Sequence, residues 1–468
     1  MWKQLVLALT GMAVADVPSD CPEYGEYAKA RHAPYSSGRF QYPSQRPEPR
    51  CRSYAVPEVE QTIDRVKGSI RDPDLYALFL AFVTTGDIHA MWLRDSANQL
   101  QSYKPILNST SGSNATNTNK SDIASLYRGT INLQARYITK FPYCNAFQPP
   151  PDSKLPPNNH KRSLLAKRGD TVNPPYDPNV VWECKYELDS LSAFLQLSWD
   201  YYEATRDAKF FGKYGWAAAV KAILKLASDM MQGTYTDDGH VNQSPYTWLR
   251  DANVATEVVS NGGAGNPVLG NIGLVRSFFR PSDDSTIYQY FIPANMMFAR
   301  FLKACAEIMQ TIDASAAAQM TSMAEGIDKA VQQYAIVKHP KFGDIYAYEV
   351  DGLGSTNFMD DANVPSLLSI PHLGFKPNTD ETYKRTRQFV LSRSNPYYGF
   401  GPVLNSTGGP HLGPGMAWPM GVIIQTMTSD DDDEITRGIR QLMGSTSGLG
   451  LIHESVNTWD DTRWSRSW

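Results

Sequence analysis

The sequence has no marked excess of one charge and no long apolar segment in its body. Its 44 basic and 48 acidic residues give a formal net charge of −4 over 468 residues. This balance gives no electrostatic reason to expect nucleic acid or an anionic membrane as a partner. After the N-terminal segment, no run reaches the roughly 18 apolar residues that a membrane-spanning helix needs. We therefore expect a globular protein whose ligand is uncharged or only locally charged.

The motifs of several enzyme and metal-binding classes are also missing. There is no GxSxG, no P-loop and no GxGxxG before a strand, which removes most of the support for nucleophilic hydrolases, NTPases and Rossmann oxidoreductases. The histidines are scattered without an HExxH pattern and no CxxC occurs, so neither a histidine-bound transition metal nor a structural zinc site is expected. The acidic run at 430–434 lacks the spacing of an EF-hand and is typical of a helix N-terminus. No metal or other cofactor is expected.

Cysteine is scarce, with five in the chain. Five cysteines allow two disulfides and one free thiol in an oxidising compartment. Cys305 falls in a helical apolar pattern and is expected to be the buried free thiol. We expect Cys21 to pair with Cys51 and Cys144 with Cys184, although four cysteines allow three connectivities and the sequence does not choose among them.

The N-terminus has the pattern of a secretory signal. Lys3 precedes an apolar run from Leu5 to Met12 and the small residues Ala-Val-Ala, which together predict a cleavable signal peptide over 1–15. We expect the protein to be secreted or to lie in the lumen of the secretory pathway, with no membrane span after cleavage. Secretion would expose four glycosylation sequons, which begin at Asn108, Asn114, Asn119 and Asn405.

The rest of the chain divides into an irregular arm and a helical body. Residues 16–56 are rich in Pro, Tyr, Ser and Arg without periodicity, which predicts an extended N-terminal arm. From 57 onward the helical period dominates and alternating strands are scarce. One buried helical face is predicted at Leu188, Leu191, Leu195, Trp199 and Tyr202.

A weak internal repeat runs through the helical body. Trp-Leu-Arg-Asp at 92–95 returns at 248–251, and Asp-Ala-Asn at 361–363 gives a partial third copy. The copies could be coincidental in a chain rich in Trp and Asp. Alternatively, they indicate successive helical hairpins of a toroid that present similar loop-to-helix junctions on one face. The spacing is too irregular for a short-period solenoid.

Four segments place acidic residues beside aromatic or hydrogen-bonding side chains, at 86–96, 279–284, 359–365 and 452–461. Cleavage of a glycosidic bond needs two carboxyl groups in such surroundings. The acidic residues also allow structural interpretations. Asp95 could pair with Arg94, and Asp283 and Asp284 could cap a helix. Glu454 follows a short apolar segment, which should place its carboxylate next to buried apolar residues.

At these residues the sequence resembles glycoside hydrolase family 125, the metal-independent exo-α-1,6-mannosidases, whose fungal members include a meiotically up-regulated protein. The resemblance covers roughly residues 57–468. It rests on colinear motifs at 92–96, 183–190, 265–267, 280–284, 360–365, 409–411 and 453–455. It implies an all-α fold, an (α/α)6 toroid of the six-hairpin glycosidase type, that removes non-reducing terminal mannose with inversion. The implied partner is a mannose-containing oligosaccharide or N-glycan, and a monomer is expected.

The resemblance also implies roles for particular residues. The general acid maps to Asp283 or Asp284, with a slight preference for Asp283, and the general base maps to Glu454. The residues implied to bind the terminal mannose are Trp92, Arg94, Asp95, Arg280, Asp361, His411 and His453.

Two other functions compete with this interpretation. One is a calcium-dependent α-mannosidase of the other helical-barrel class, which a chelator would inhibit. The other is a non-catalytic mannoside-binding protein. It is suggested by the end of the chain at Trp468, where family members are expected to continue into a further helix, so that the 57–468 domain would lack its final helix.

Overall fold

The computed structural model describes residues 18–22, 27–52, 56–81, 90–111, 122–153, 169–252 and 254–466. The predicted signal peptide and the sequons at Asn114 and Asn119 lie outside these ranges. Within them, no helix combines the length and apolar character needed to cross a bilayer. The chain divides into two compact units. The first unit comprises 1–88, 360–363 and 389–468, and the second unit comprises 89–359 and 364–388.

Helices dominate both units. The described residues form α1 (Pro57–Lys67), α2 (Pro73–Ala81), α3 (Leu93–Gln101), α4 (Lys104–Ser111), α5 (Asp122–Lys140), α6 (Leu188–Thr205), α7 (Ala208–Phe211), α8 (Trp216–Asp229), α9 (Ile292–Gln310), α10 (Ala314–Ala330), α11 (Glu381–Val390), α12 (Pro419–Met427) and α13 (Asp432–Gly444). Helices α3 to α10 belong to the second unit, and α1, α2, α12 and α13 belong to the first.

Helix α6 forms the core of the second unit. It packs against α3, α4, α5 and α9, and all but a few of its residues are buried. The predicted apolar stripe is present, but burial extends around nearly the whole helix, which is the expected behaviour of a central helix that has neighbours on several sides. Ser192 and Ser198 fit this apolar setting because their hydroxyls donate to Leu188 O and Phe194 O, each at 2.8 Å.

The strands are short and antiparallel. They are β1 (Met91–Trp92), β2 (Ala146–Phe147), β3 (Thr171–Asn173), β4 (Val181–Glu183), β5 (Thr247–Leu249), β6 (Tyr290–Phe291), β7 (Ile336–His339), β8 (Gly343–Tyr346), β9 (Glu349–Val350), β10 (Thr356–Asn357), β11 (Tyr398–Gly399), β12 (Ser406–Thr407), β13 (Met416–Ala417), β14 (Val456–Asn457) and β15 (Asp460–Trp464). The sheets have the orders β1-β2-β4, β10-β9-β6, β13-β14-β15, β3-β5, β7-β8 and β11-β12. Most strands have two or three residues, so they connect loops by a few backbone hydrogen bonds and do not form a continuous sheet layer.

Both predicted disulfides are confirmed. Cys21 bonds to Cys51 in the first unit and Cys144 to Cys184 in the second. Cys305 is free and buried, as expected, and its Sγ lies 3.2 Å from Leu195 O.

The described part of the N-terminal arm and the acidic run both belong to the first unit. The described part of the arm contains a 3-10 turn at Pro49–Cys51, and Gln45 Nε2 donates to Leu449 O at 2.8 Å. The acidic run begins α13, where the Asp431 carboxylate accepts from the backbone N–H groups of Asp433 and Glu434 at 2.8 and 3.0 Å. The helix-start interpretation of this run is therefore confirmed.

Candidate active site

A two-residue strand runs directly into α3 and carries three of the predicted site residues. β1 pairs with β2, and the backbone N–H of Leu93 donates to Asn145 O at 3.0 Å, which fixes the junction. Arg94 and Asp95 consequently occupy the first turn of α3. The half-buried Trp92 precedes the helix, and its Nε1 is buried without a hydrogen-bond partner in the part of the chain that the structure describes.

The guanidinium of Arg94 binds several carboxyl groups at once. Its Nη1 lies 2.7 Å from Oε2 of Glu187 and 3.1 Å from Oδ2 of Asp189. Its Nη2 lies 3.4 Å from Oδ2 of Asp95. Arg94, Glu187 and Asp189 are all buried, so these charges interact through a medium that screens them poorly. The expected pairing of Arg94 with Asp95 is present, within a larger network.

Asn145 connects this network to Asp283. Its Nδ2 lies 3.0 Å from Oε1 of Glu187 and 3.4 Å from Oδ1 of Asp283. Its Oδ1 accepts from the backbone N–H of Lys185 at 3.0 Å, which orients the amide. The carboxyl groups of Glu187 and Asp283 are therefore neighbours that share one amide donor.

Asp283 lies in a tight turn with unusual backbone geometry. Its φ is +67°, in the left-handed region that non-glycine residues occupy at a cost of roughly 1–3 kcal/mol. Two backbone bonds close the turn, from Asp283 N–H to Arg280 O at 2.9 Å and from Arg280 N–H to Asp284 O at 2.8 Å. Asp283 is part-exposed, whereas Asp284 is buried. The alternative that these acids cap a helix is wrong, because residues 281–289 form turns and bends that lead into β6.

A second contact holds the turn from the other side. Lys185 is buried, and its Nζ donates to Asp283 O at 3.0 Å. The same Nζ lies 3.6 Å from Oε1 of Glu183. Because the disulfide at Cys184 fixes the preceding residue to Cys144, this lysine projects from a constrained segment.

Burial shifts the acid–base behaviour of the cluster. Removal from water raises the pKa of Asp189 to about 6, against the lowering effect of Arg94. Burial also raises the pKa of Glu187 well above its ordinary range, and the nearby Asp283 and Asp189 raise it further, while Arg94 opposes the change. Burial and crowding therefore favour the retention of a proton on one carboxyl group of the cluster.

Arg280 lies beneath the turn rather than at its surface. Its Nε donates to Oε1 of Glu349 at 2.7 Å, and its guanidinium carbon lies 5.4 Å from the centre of the Tyr348 ring. Glu349 also accepts from the backbone N–H of Ile287 at 3.1 Å. These contacts tie both ends of the 280–287 segment to β9.

The second copy of the Trp-Leu-Arg-Asp repeat forms a separate ion-pair network. Arg250 makes two bonds of 2.7 Å to Asp170 and bonds of 2.9 Å to both Glu183 and Glu257. The interpretation of the repeat as similar loop-to-helix junctions is wrong. The first copy begins α3, but the second lies on β5, followed by a 3-10 turn, and the third lies in a bend. The shared feature of the first two copies is a buried arginine that gathers carboxylates.

In the first unit, Glu454 is 5% exposed and follows a buried apolar lead-in, as the sequence predicted. Its Oε2 lies 3.2 Å from Nε of Arg466, and its backbone N–H donates to Arg466 O at 2.7 Å. The adjacent His453 ring stacks on Trp464 with centroids 4.1 Å apart. Burial lowers the pKa of His453 to about 4, so this imidazole is neutral at physiological pH.

Asp361 and His411 also belong to the first unit. Oδ1 of the buried Asp361 accepts from the backbone N–H and the side-chain amide of Asn363 at 2.9 and 2.7 Å. A Cβ placed on Gly409 would lie 2.5 Å from Oδ2 of Asp361, so the carboxylate requires glycine at this position. The exposed His411 ring meets the Trp418 ring edge-on, with centroids 6.3 Å apart.

The structure thus groups the predicted site residues within each unit. Asp283 joins Arg94 and Asp95 through the carboxyl cluster of the second unit, and Glu454 adjoins His453 in the first. Among the described residues, no group of three or more His, Cys, Asp or Glu is arranged to hold a metal ion.

Sequence reasoning assigned no role to Glu187, Asp189 or Asn145. The first two belong to a motif that carried the family resemblance, and they flank Leu188 at the start of the largely buried helix α6. Two acidic residues at the N-terminus of a helix predicted to be buried could have identified them as candidate site residues, because buried carboxylates need partners. Asn145 follows the disulfide cysteine Cys144 and has no comparable signal.

Comparison with protein families gives one match over most of the chain. Residues 56–468 match the family described as metal-independent alpha-mannosidase (GH125). Among characterised proteins, the chain is similar to the meiotically up-regulated gene 157 protein of Schizosaccharomyces pombe (strain 972 / ATCC 24843). The two are 42% identical over 496 aligned residues, which cover 100% of this chain and 94% of the relative.

Comparison with solved structures points the same way. A Streptococcus pneumoniae protein from a family of metal-independent alpha mannosidases, solved in a non-productive substrate complex with alpha-1,6-mannobiose, matches with a TM-score of 0.76. It is 30% identical, and the match covers 88% of this chain and 95% of that chain. This match confirms the fold class expected from the sequence, the all-α (α/α)6 toroid.

Proposed function

Since this chain belongs to the GH125 family of metal-independent α-mannosidases, we propose that it is an exo-acting enzyme that removes non-reducing terminal α-1,6-linked mannose with inversion. Its substrate would be a mannose-containing oligosaccharide or N-glycan. The α-1,6-mannobiose in the S. pneumoniae complex supports this linkage. The observation that carries the mechanism is the carboxyl pair of Asp283 and Glu187, which share the amide of Asn145.

Asp283 is the proposed general acid. Its carboxyl is part-exposed, so a glycosidic oxygen can reach it, and it is bound into a cluster that retains a proton. Asp284 has no such access, since it is buried. The left-handed turn and the Lys185 contact hold the Asp283 backbone in place, which is the preorganisation a proton donor needs.

Glu187 is the proposed positioning residue for that acid. Two adjacent carboxyl groups do not ionise together readily, so the Glu187–Asp283 pair keeps one proton between them. In the reaction the proton leaves Asp283 for the glycosidic oxygen as the bond to the anomeric carbon breaks. The pair then carries two negative charges, and Arg94, which binds Glu187, offsets part of this charge.

Glu454 is the proposed general base. It would accept a proton from a water molecule that attacks the anomeric carbon from the opposite face, and the product would be β-mannose. Its bond to Arg466 orients the carboxylate. Such inversion needs the two catalytic carboxyl groups to stand about 6.5–9.5 Å apart.

The remaining site residues divide by their contacts. Trp92 is the proposed platform for the sugar ring, because its side chain is half-exposed. Asp95 is the proposed acceptor of another hydroxyl. Arg94 and Arg280 would act through the carboxylates they bind. Asp361, His411 and His453 complete the proposed mannose-binding set.

The proposed organisation is a signal peptide over 1–15, an arm over 16–56 and a catalytic domain over 57–468. The two disulfides support an oxidising compartment, hence secretion or residence in the secretory lumen.

The test is mannose release from α-1,6-mannobiose by the purified protein in the presence of a chelator, with the product anomer followed by NMR. Asp283→Asn and Glu454→Gln should each reduce kcat by at least about 1,000-fold, whereas Asp284→Asn serves as the matched neighbour. A calcium-dependent α-mannosidase would lose activity to the chelator. A folded wild type that binds mannobiose without turnover would refute the proposal in favour of a non-catalytic binding protein.

A further inference from the structure

A buried arginine outside the proposed active site has no counter-charge. Arg276 is 4% exposed, and no described residue forms an ion pair or a side-chain hydrogen bond with its guanidinium. Its Nε is buried without a partner. Burial lowers the pKa of Arg276, and the groups that oppose this shift are tyrosines, with no carboxylate among them. The other buried arginines described above each bind at least one carboxylate.

The surroundings of Arg276 are aromatic and contain a second unpartnered polar atom. The guanidinium carbon lies 5.8 Å from the centre of the Phe278 ring, and Tyr143, Tyr186 and Tyr290 are the tyrosines that act on its charge. The Tyr186 ring packs against Phe278 with centroids 6.0 Å apart. The Tyr186 hydroxyl is buried without a hydrogen-bond partner in the described chain.

Physical chemistry disfavours such an arrangement without a ligand. A buried charge is stable when it is paired, because removal from water is not otherwise compensated. A guanidinium and a tyrosine hydroxyl are both donors, so an acceptor that carries one negative charge satisfies both. Arg276 contributes a single positive charge, which favours a small monovalent ion over a phosphate or sulfate.

We propose that Arg276 and the Tyr186 hydroxyl form a binding site for a small monovalent anion, with chloride as the physiological candidate. The site lies at the base of two chain segments that reach the carboxyl cluster. Tyr186 immediately precedes Glu187, and Arg276 begins the stretch that ends at Asp283. The backbone N–H groups of Phe278 and Phe279 donate to Tyr186 O at 3.2 and 3.1 Å, so the two segments are hydrogen-bonded to each other. The bound anion is thus a structural ligand of both.

The first measurement is the melting temperature of the full chain titrated with sodium chloride, using sodium gluconate to keep the ionic strength constant. We expect Tm to rise by about 3 °C when chloride reaches about 100 times its Kd, and gluconate alone to give no rise. Arg276→Met removes the charge and should abolish the chloride response. Arg300→Gln is the matched control, since Arg300 also lies over a phenylalanine ring but is half-exposed, and it should keep the response.

The second measurement needs no variant. Crystals of the wild-type protein grown in bromide should give an anomalous peak beside the Arg276 guanidinium. A peak there supports the site even if Arg276→Met does not fold. A chloride-independent Tm together with no bromide at Arg276 would overturn the proposal, and neither result depends on mannosidase activity.

Discussion

Replacing Glu187 with Gln tests whether the proposed acid owes its proton to a neighbouring carboxyl. The change keeps the size of the side chain and its place beside Asn145 and Arg94, but it removes one negative charge. At roughly 5 Å and an effective dielectric constant of about 20, two unit charges repel by about 3 kcal/mol, which is equivalent to about two pKa units. In the wild type this repulsion raises the pKa at which the Glu187–Asp283 pair loses its last proton.

Glu187→Gln should shift the pH dependence of kcat toward acid. The pair must hold one proton to protonate the leaving group, so kcat falls as pH rises through the second pKa of the pair. Without the charge at 187 that pKa drops, and the basic limb of the kcat profile on α-1,6-mannobiose should move about two pH units toward acid. An aryl α-mannoside with a dinitrophenolate leaving group needs no general acid, so Glu187→Gln should retain most of its activity on it.

Asp189→Asn is the matched control. Asp189 is also buried against Arg94, but it has no bond to the amide that links Glu187 with Asp283, so its removal should shift the limb less. An unchanged basic limb in Glu187→Gln would refute the shared proton while leaving the mannosidase assignment intact. Absence of wild-type activity on both substrates would instead refute the assignment.

Three further predictions concern the rest of the chain. Gly409→Ala would press a methyl group against the Asp361 carboxylate, and we expect KM for mannobiose to rise at least about tenfold with the fold retained by circular dichroism. His453 has a pKa lowered to about 4 by burial, so stability should fall by up to about 3 kcal/mol as pH drops from about 6.5 toward 4. Urea unfolding measures this loss, and His453→Gln should flatten it. Replacing Cys144 and Cys184 with serine opens a cross-link of sequence separation 40 and should reduce the free energy of unfolding by about 4 kcal/mol; a midpoint equal to wild type would contradict this.

Local patterns predicted helix α6 and the start of α13. The acidic run at 430–434 predicted the start of α13 because an N-cap needs only a carboxylate and the next backbone N–H groups. The apolar spacing from Leu188 to Tyr202 predicted α6, but it did not reveal burial around nearly the whole helix. An apolar stripe in the sequence indicates one packing partner, whereas α6 packs against four helices.

The sequence repeat shows where pattern reasoning failed. Trp-Leu-Arg-Asp occurs twice, yet one copy starts a helix and the other lies on a strand. The segments packed beside each copy determine its secondary structure. The junction of β1 and α3 is fixed by the backbone of Asn145, whereas β5 pairs with β3. Four identical residues are too few to impose their own secondary structure when tertiary contacts favour another.

The sequence by itself determined the fold class, the disulfide-forming cysteines and the family motifs, because helical periodicity and motif order are properties of the chain read in one dimension. Only the tertiary structure decided which acids act together. Asn145, Glu187 and Asp283 meet across separations of 42 and 138 residues, and their neighbour Arg94 is 93 residues from Glu187. The retained proton arises from burial and from distances between charges. Burial and charge–charge distances are set only when the chain packs, so a local sequence pattern cannot predict them.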